Sequence, residues 1–227
     1  MPRQPRVAPG GLVYHVTNRA VARLALFEED DDYEVFEGVL SEALSKHPTR
    51  LLAYCIMPTH WHLVLWPRKE GELTQFLRWV THTHVMRWHA HFGTSGAGHL
   101  YQGRFKAFPI QTDEHFYTVA RYVERNALRA KLVGRAEDWR WGSLWRRLSA
   151  TPEKKTLLTN WPLPKPARWK NYVNAPQSKA EVDAVREAIR RDCPFGSPAW
   201  QKRIARRLGI DWPLRARGRP RKDAPPS

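Results

Sequence analysis

Between residues 12 and 130 the spacing of apolar side chains switches repeatedly between a two-residue and a helical period. From 12 to 19, Leu12, Tyr14 and Val16 fall on one side and Val13, His15 and Thr17 on the other, which predicts a strand that exits at Asn18 and Arg19. Tyr33, Phe36, Leu40 and Leu44 then recur at helical spacing. The unbroken acidic run over 28–32 belongs to that helix's first turn, where the dipole favours negative charge, and His47-Pro48 stops it. Residues 51–56 form a second strand, Met57-Pro58-Thr59 a turn and His60–Trp66 a third strand, so the pair reads as a hairpin. A second helix covers 72–92, with Leu73, Phe76, Leu77, Val80, His84 and Trp88 along one stripe. A small-residue loop over 93–98 leads to a fourth strand over 101–110, where Arg104, Lys106 and Phe108 alternate with Phe105 and Ala107. A third helix over 113–130 carries the stripe Phe116, Val119, Ala120, Val123 and Ala127. The order β-α-β-β-α-β-α predicts an α+β, ferredoxin-like (split βαβ) antiparallel sheet with helices on one face, its central strands displaying a polar site to the last helix.

Past residue 148 the pattern changes. Residues 149–176 are rich in Pro, Lys and Trp and read as an irregular linker wrapped on a first domain of residues 1–148. Ser178-Lys179-Ala180-Glu181 is a capping box opening a helix to about Asp192, and Ser197-Pro198 opens another that ends at Gly209. With the turn Cys193-Pro194-Phe195-Gly196 between them, residues 177–209 form a C-terminal helical extension, either a helix-turn-helix or a plain helical hairpin. Residues 210–227 are a basic tail whose Arg217-Gly218-Arg219-Pro220-Arg221-Lys222 resembles an AT-hook; an unstructured cationic tail explains it equally well. A second basic arm, with Arg3 and Arg6, precedes Gly10-Gly11.

Composition narrows the partners. A net charge of +16 over 227 residues and a pI near 10.4 point to polyanions, nucleic acid foremost. Eleven tryptophans beside many arginines suit stacking as well as core. The two cysteines, Cys55 and Cys193, have neither zinc spacing nor the makings of a disulfide framework. With no signal-peptide core and no long apolar run, the expectation is a soluble, cytoplasmic protein with no membrane contact.

The candidate chemistry lies on the third strand. In a strand His60 and His62 project from one face, about 6.5–7 Å apart at the backbone, and can share a metal ion. His82-Thr83-His84 and His89-Ala90-His91 have the same spacing but fall in a helix, where such positions point apart. By themselves His60 and His62 are equally well two ordinary strand histidines. On the third helix, His115, Thr118, Tyr122, Asn126 and Arg129 lie off the apolar stripe, and Tyr122 and Asn126 are one turn apart, able to reach one point above the helix.

Taken in order, Tyr14-His15-Val16-Thr17-Asn18-Arg19, Met57-Pro58-Thr59-His60-Trp61-His62, Gln102-Gly103-Arg104-Phe105-Lys106 and Tyr122-Val123-Glu124-Arg125-Asn126-Ala127-Leu128-Arg129-Ala130 resemble the HUH single-strand DNA transposases, and the tail from Phe195-Gly196-Ser197 to Arg219-Pro220-Arg221-Lys222 looks like the C-terminal extension of some members. The likeness is narrower still to the IS200-like Y1 transposases and their REP-associated tyrosine transposase branch, and it spans roughly residues 10–148. One departure is visible: the family often has Asn-Pro after the tyrosine, where this chain has Asn126-Ala127. The resemblance implies an HUH endonuclease fold, Tyr122 as nucleophile, and His60, His62 and Asn126 as ligands of a divalent metal, Mg²⁺ or Mn²⁺. It implies cleavage and rejoining of single-stranded or hairpin DNA, such as REP-like palindromes, through a 5′-phosphotyrosine, by a monomer or a homodimer. Arg104, Lys106 and Arg129 are the expected DNA contacts in the domain, and Arg3, Arg6, Arg217, Arg219 and Arg221 those of the two arms. The alternative is a regulator that binds repeat hairpins on the same fold without cutting. An RNA-binding sheet of the same topology would carry aromatics where His60 and His62 stand, which counts against it.

Overall fold

The structure is a computed structural model and describes residues 8–96, 98–152 and 156–209. Four strands, β1 (Val13–Arg19), β2 (Arg50–Met57), β3 (His60–Trp66) and β4 (Lys106–Ile110), form one antiparallel sheet in the order β2-β3-β1-β4. With α1 (Asp30–Lys46) after β1 and α2 (Glu72–His91) after β3, this is the ferredoxin-like arrangement that the periodicity predicts. The acidic run opens α1 as expected, Asp32 Oδ2 accepting from the backbone N–H of Glu28 at 2.9 Å and of Glu29 at 3.1 Å.

The sheet is apolar on both faces, and this corrects one expectation. Tyr14, Val16, Leu63 and Leu65 meet Phe36, Leu40, Phe76 and Val80 of α1 and α2. On the opposite face Val13, Val64, Phe108 and Ile110 meet Phe116, Val119 and Val123 of α3 (Glu114–Glu124). Helices therefore cover both faces, not one. The physical reason is visible in β2, where Leu51 through Met57 are all buried: a continuous apolar run needs cover on each side.

Two element boundaries also differ. The fourth strand begins at Lys106, because residues 102–104 bend, and Tyr101 makes only an isolated bridge to Ala20. The third helix breaks after Glu124: Arg125 N–H is shared between Arg121 O and Val123 O, and a separate turn, α4 (Asn126–Arg129), follows.

The stretch after residue 142 holds more structure than its composition suggests. It contains α5 (Ser143–Ser149), which the periodicity does not announce, and α6 (Trp169–Asn174). Trp161 sits edge-on to Phe116, ring centroids 5.1 Å apart, and to Trp169 at 4.9 Å. This segment straps α3 to the sheet. Arg121 donates to Ala175 O at 2.7 Å and Arg125 to Val173 O at 2.8 Å, while buried Glu124 accepts from Ser143 Oγ and Trp169 Nε1, both at 2.6 Å. Then come α7 (Lys179–Arg191), opened by the predicted Ser178/Glu181 capping box, and α8 (Pro198–Leu208), opened by Ser197 and closed by Gly209. Each turns its apolar side to the core, α7 through Val185 and Ala188 and α8 through Trp200, Ile204 and Leu208 against Leu12.

Candidate active site

The register of the two central strands builds the site. Thr17 is paired with His62 and Arg19 with His60, so both histidines lie on the face covered by α3. Their ring centroids are 5.0 Å apart and nearly perpendicular. Burial, with Arg19 and Arg129 adding positive charge, pushes His60 down to about 4; burial and the neighbouring imidazoles hold His62 well below its usual value. Both are neutral at pH 7 and have lone pairs to offer. The helical control pairs behave as the geometry requires: His84 is buried and its Nδ1 meets Tyr101 Oη at 2.7 Å, whereas His82 is exposed.

Each site histidine has one nitrogen engaged. His62 Nδ1 meets Nε2 of His15 at 2.9 Å, and His60 Nδ1 meets Thr59 Oγ1 at 3.2 Å. His15, which pairs with Val64 on β3, is buried, stacked on His62 at 5.0 Å, and held by burial near a pKa of about 3. If His62 Nδ1 is the donor, its Nε2 keeps a free lone pair; the opposite tautomer would put a proton there. The sequence reading places His15 on the first strand and in the first motif but gives it no role at the site. The signal was present, since it shares a strand face with Thr17, but only the register shows which histidine it touches.

Tyr122 and Asn126 come to the same place. The Tyr122 ring stands edge-on to His62 at 5.9 Å and to His15 at 6.5 Å. Tyr122 and Asn126 are both buried, 6% and 7% exposed, so the polar helix face is not a solvent face; it closes over the sheet. Arg129 ties the two together. Its guanidinium lies 4.0 Å from the Tyr122 ring centroid, and it donates to Asn126 Oδ1 at 2.9 Å and to Tyr122 O at 3.3 Å. The Nδ2 of Asn126 is buried without a hydrogen-bond partner.

These groups open on a cleft of about 630 Å³ that also takes in Arg19, Arg104, Lys106, Arg186 and Arg190, with no carboxylate among its lining residues. Of the expected DNA contacts, Arg104, Lys106 and Arg129 are thus gathered around the tyrosine, whereas Arg3, Arg6, Arg217, Arg219 and Arg221 lie outside the described residues. Arg19, Arg186 and Arg190 are additions: Arg19 closes the first motif but has no expected role there, and no local motif marks the two arginines of residues 177–209.

The donor set fits a divalent cation. Two neutral imidazoles have their Nδ1 atoms occupied, and the Oδ1 of Asn126, an acceptor with two lone pairs, gives one of them to Arg129. A second group of ligand-type side chains, Asp113, Glu114 and His115, lies within 4.8 Å of itself, but its geometry has another cause. Asp113 caps α3, its Oδ1 accepting from the backbone N–H of His115 at 2.9 Å and meeting His115 Nδ1 at 2.7 Å.

Among solved structures the chain is similar to the REP-associated tyrosine transposase bound to a REP hairpin, at 17% identity and a TM-score of 0.49, covering 67% of this chain and 88% of that one. It is also similar to a provisionally named transposase from Deinococcus radiodurans R1, at 16% identity and a TM-score of 0.39, covering 58% of this chain and 95% of that one. Likenesses this distant transfer no activity. No curated protein matches the sequence. Among the described residues no helix is long and apolar enough to cross a membrane. The profile of the family described as "Transposase IS200 like", in contrast, matches residues 10–126, just over half the chain, from before β1 through the whole sheet to Asn126. The protein belongs to the IS200-like transposase family.

Proposed function

We propose that this transposase is a metal-dependent endonuclease and strand transferase of single-stranded or hairpin DNA, of the REP-associated type, working through a 5′-phosphotyrosine. The observation that carries the reading is the meeting of Tyr122, His60, His62 and Asn126 in one cleft lined by cations and, among the described residues, free of carboxylates. A phosphodiester is drawn into such a cleft by charge, and an unstacked strand fits it better than a duplex, whose bases would first have to open.

Tyr122 Oη attacks the scissile phosphorus in line, its proton passing to water in the cleft, and the 3′ oxygen leaves as a hydroxyl. Arg129 orients the phenol by packing on its ring, and Arg19, Arg104 and Lys106 hold the flanking phosphates. A Mg²⁺ or Mn²⁺ ion held by His60, His62 and Asn126 would supply a Lewis acid for a non-bridging phosphate oxygen. The covalent ester conserves the energy of the broken bond, so the 3′-hydroxyl of another strand can displace Tyr122 and join the ends with no nucleotide cofactor.

Incubating the protein with labelled hairpin oligonucleotides and Mg²⁺ or Mn²⁺ should give a covalent adduct on a denaturing gel. The adduct should vanish in Tyr122→Phe. His60→Ala should abolish the adduct while hairpin affinity stays within about twofold, because a ligand to the reacting phosphate contributes little to overall binding of the stem. Hairpin binding with no adduct on any flanking sequence would favour the regulator reading and sink this one.

A further inference from the structure

The family match ends at Asn126, yet the cleft continues beyond it. Its outer wall is α7, fifty residues further on, which contributes Arg186, Ile189 and Arg190. Arg186 and Arg190 are one helical turn apart, about 6 Å along the axis, so they share a side of the helix. Both are exposed.

The wall is fixed to the edge strand of the sheet at several points. Asp192, just past α7, accepts from the backbone N–H of Ala107 at 2.8 Å, and Lys106 donates to Arg190 O at 3.3 Å. Phe195 N–H donates to Pro109 O and Gln111 N–H to Phe195 O, both at 2.9 Å, so the chain after α7 runs parallel to β4 as an added bridge. Gly196 permits this close approach, since a Cβ there would meet the Trp200 ring at 2.6 Å and the Gln111 side chain at 2.7 Å. On the other flank Arg121 of α3 pairs with Glu181 at 3.6 Å. An extension anchored to β4 and α3 presents its arginines at a set distance from Tyr122, where a tethered tail would not.

The state of those arginines is also informative. Arg186 has no hydrogen-bond or ion-pair partner among the described residues, although Arg129 lies close enough to feel its charge. Among the described residues the Arg190 side chain is paired only with Glu187 on its own helix, Nε to Oε2 at 2.8 Å, an exposed contact of small worth that a phosphate could replace. The cleft's lining cations outnumber the one exposed carboxylate, Glu187, that pairs with them on α7, a deficit that an anionic backbone would fill.

We propose that α7 is a phosphate clamp for the strand being cut: Arg186 and Arg190 bind backbone phosphates beside the scissile one, extending the cationic wall that begins at Lys106, with Ile189 beside them against a base or sugar. The proposal deepens the cleavage reading and rests on it for the word scissile, but the single strand's seat on α7 is measured without cleavage.

The decisive comparison is full-length Tyr122→Phe protein with and without Arg186→Gln/Arg190→Gln, binding a fluorescent unstructured oligonucleotide over a range of salt concentrations. Two lost phosphate contacts should lower the slope of log affinity against log salt by about 1.4, at roughly 0.7 per contact, and weaken binding at low salt by tenfold or more. A charge-matched control, Lys202→Gln/Arg203→Gln on α8 outside the cleft, should leave the slope unchanged. With Tyr122 intact, the oligonucleotide concentration giving half-maximal adduct should rise by roughly tenfold or more in Arg186→Gln/Arg190→Gln and not in the control pair. An unchanged slope in Arg186→Gln/Arg190→Gln, or an equal drop in the control pair, would overturn the clamp. Failure of the unsubstituted protein to form any adduct would instead count against the cleavage reading and leave the binding result to stand.

Discussion

An imidazole can offer either ring nitrogen to a metal, and what its other nitrogen does decides which. For His62, a ligand in the proposed mechanism, that decision rests with His15, whose Nε2 lies 2.9 Å from His62 Nδ1, both rings being buried. With the proton on His62 Nδ1, His15 accepts it and leaves the Nε2 of His62 its lone pair, while stacking at 5.0 Å holds the ring. Replacing His15 with Phe keeps most of the volume and the stacking but removes the acceptor. Affinity for Mn²⁺, titrated calorimetrically in the absence of DNA, should then fall 10- to 100-fold, the usual cost of losing a hydrogen-bonding partner behind a ligand. His15→Asn, which restores an acceptor, should recover part of it. Equal Mn²⁺ affinity in His15→Phe and the unsubstituted protein would show that His62 is oriented by packing alone. At this scale the sequence disclosed the residues whose spacing is local: His60 with His62 by strand alternation, Tyr122 with Asn126 by helical turn. His15 and Arg19 are 47 and 41 residues from their neighbours His62 and His60, and only the β1–β3 register makes them partners.

The element that most needs holding is α3, because it carries the tyrosine on one side and the strap on the other. Glu124 is the main anchor: buried, it accepts from Ser143 at the head of α5 and from Trp169 at the head of α6. Glu124→Ala leaves two buried donors unsatisfied, and we expect a loss of about 3 kcal/mol or more in urea unfolding. Glu124→Gln keeps an acceptor for one of them and should lose less. If the alanine variant unfolds at the same urea concentration, the strap does not depend on this carboxylate. The periodicity announced the sheet and three main helices because each exposes a period of two or of 3.6. It overlooked α5 and did not announce α6 within residues 149–176, for there a few tryptophans and arginines, spaced irregularly, dock by single long-range bonds that leave no period. It likewise ran the third helix on to Ala130, since alanine at 127 gives no cue to the break at Arg125. The placing of helices on one face failed for a related reason: alternation shows that a strand has two sides, not what will cover each.

At the scale of the whole molecule, folding sinks histidines deep on both sides of the sheet, His15 in the site and His84 under α1 and α2, and this makes stability depend on pH. Burial holds His15 and His84 down to about 3, from 6.5 for a free side chain. Above pH 6.5 both are neutral in the folded and unfolded chain alike, and their contribution is constant. As pH falls below 6.5, the unfolded chain binds a proton on each that the folded chain refuses until about pH 3, so stability is lost progressively across that window. Between pH 7.5 and pH 5 the loss should be about 2 kcal/mol for each histidine in the metal-free protein. His84 offers the cleaner test, for it lies on the α1/α2 side of the sheet, away from the cleft, its Nδ1 meeting the Tyr101 hydroxyl that also accepts from Trp61 Nε1 at 2.9 Å. His84→Leu removes that bond and lowers stability at every pH, but it also removes a titrating group. Its unfolding free energy should therefore fall less steeply from pH 7.5 to pH 5, by about 2 kcal/mol, than that of the unsubstituted protein. Parallel curves in the two proteins would mean that His84 takes up its proton without unfolding, and that the core around Tyr101 admits water.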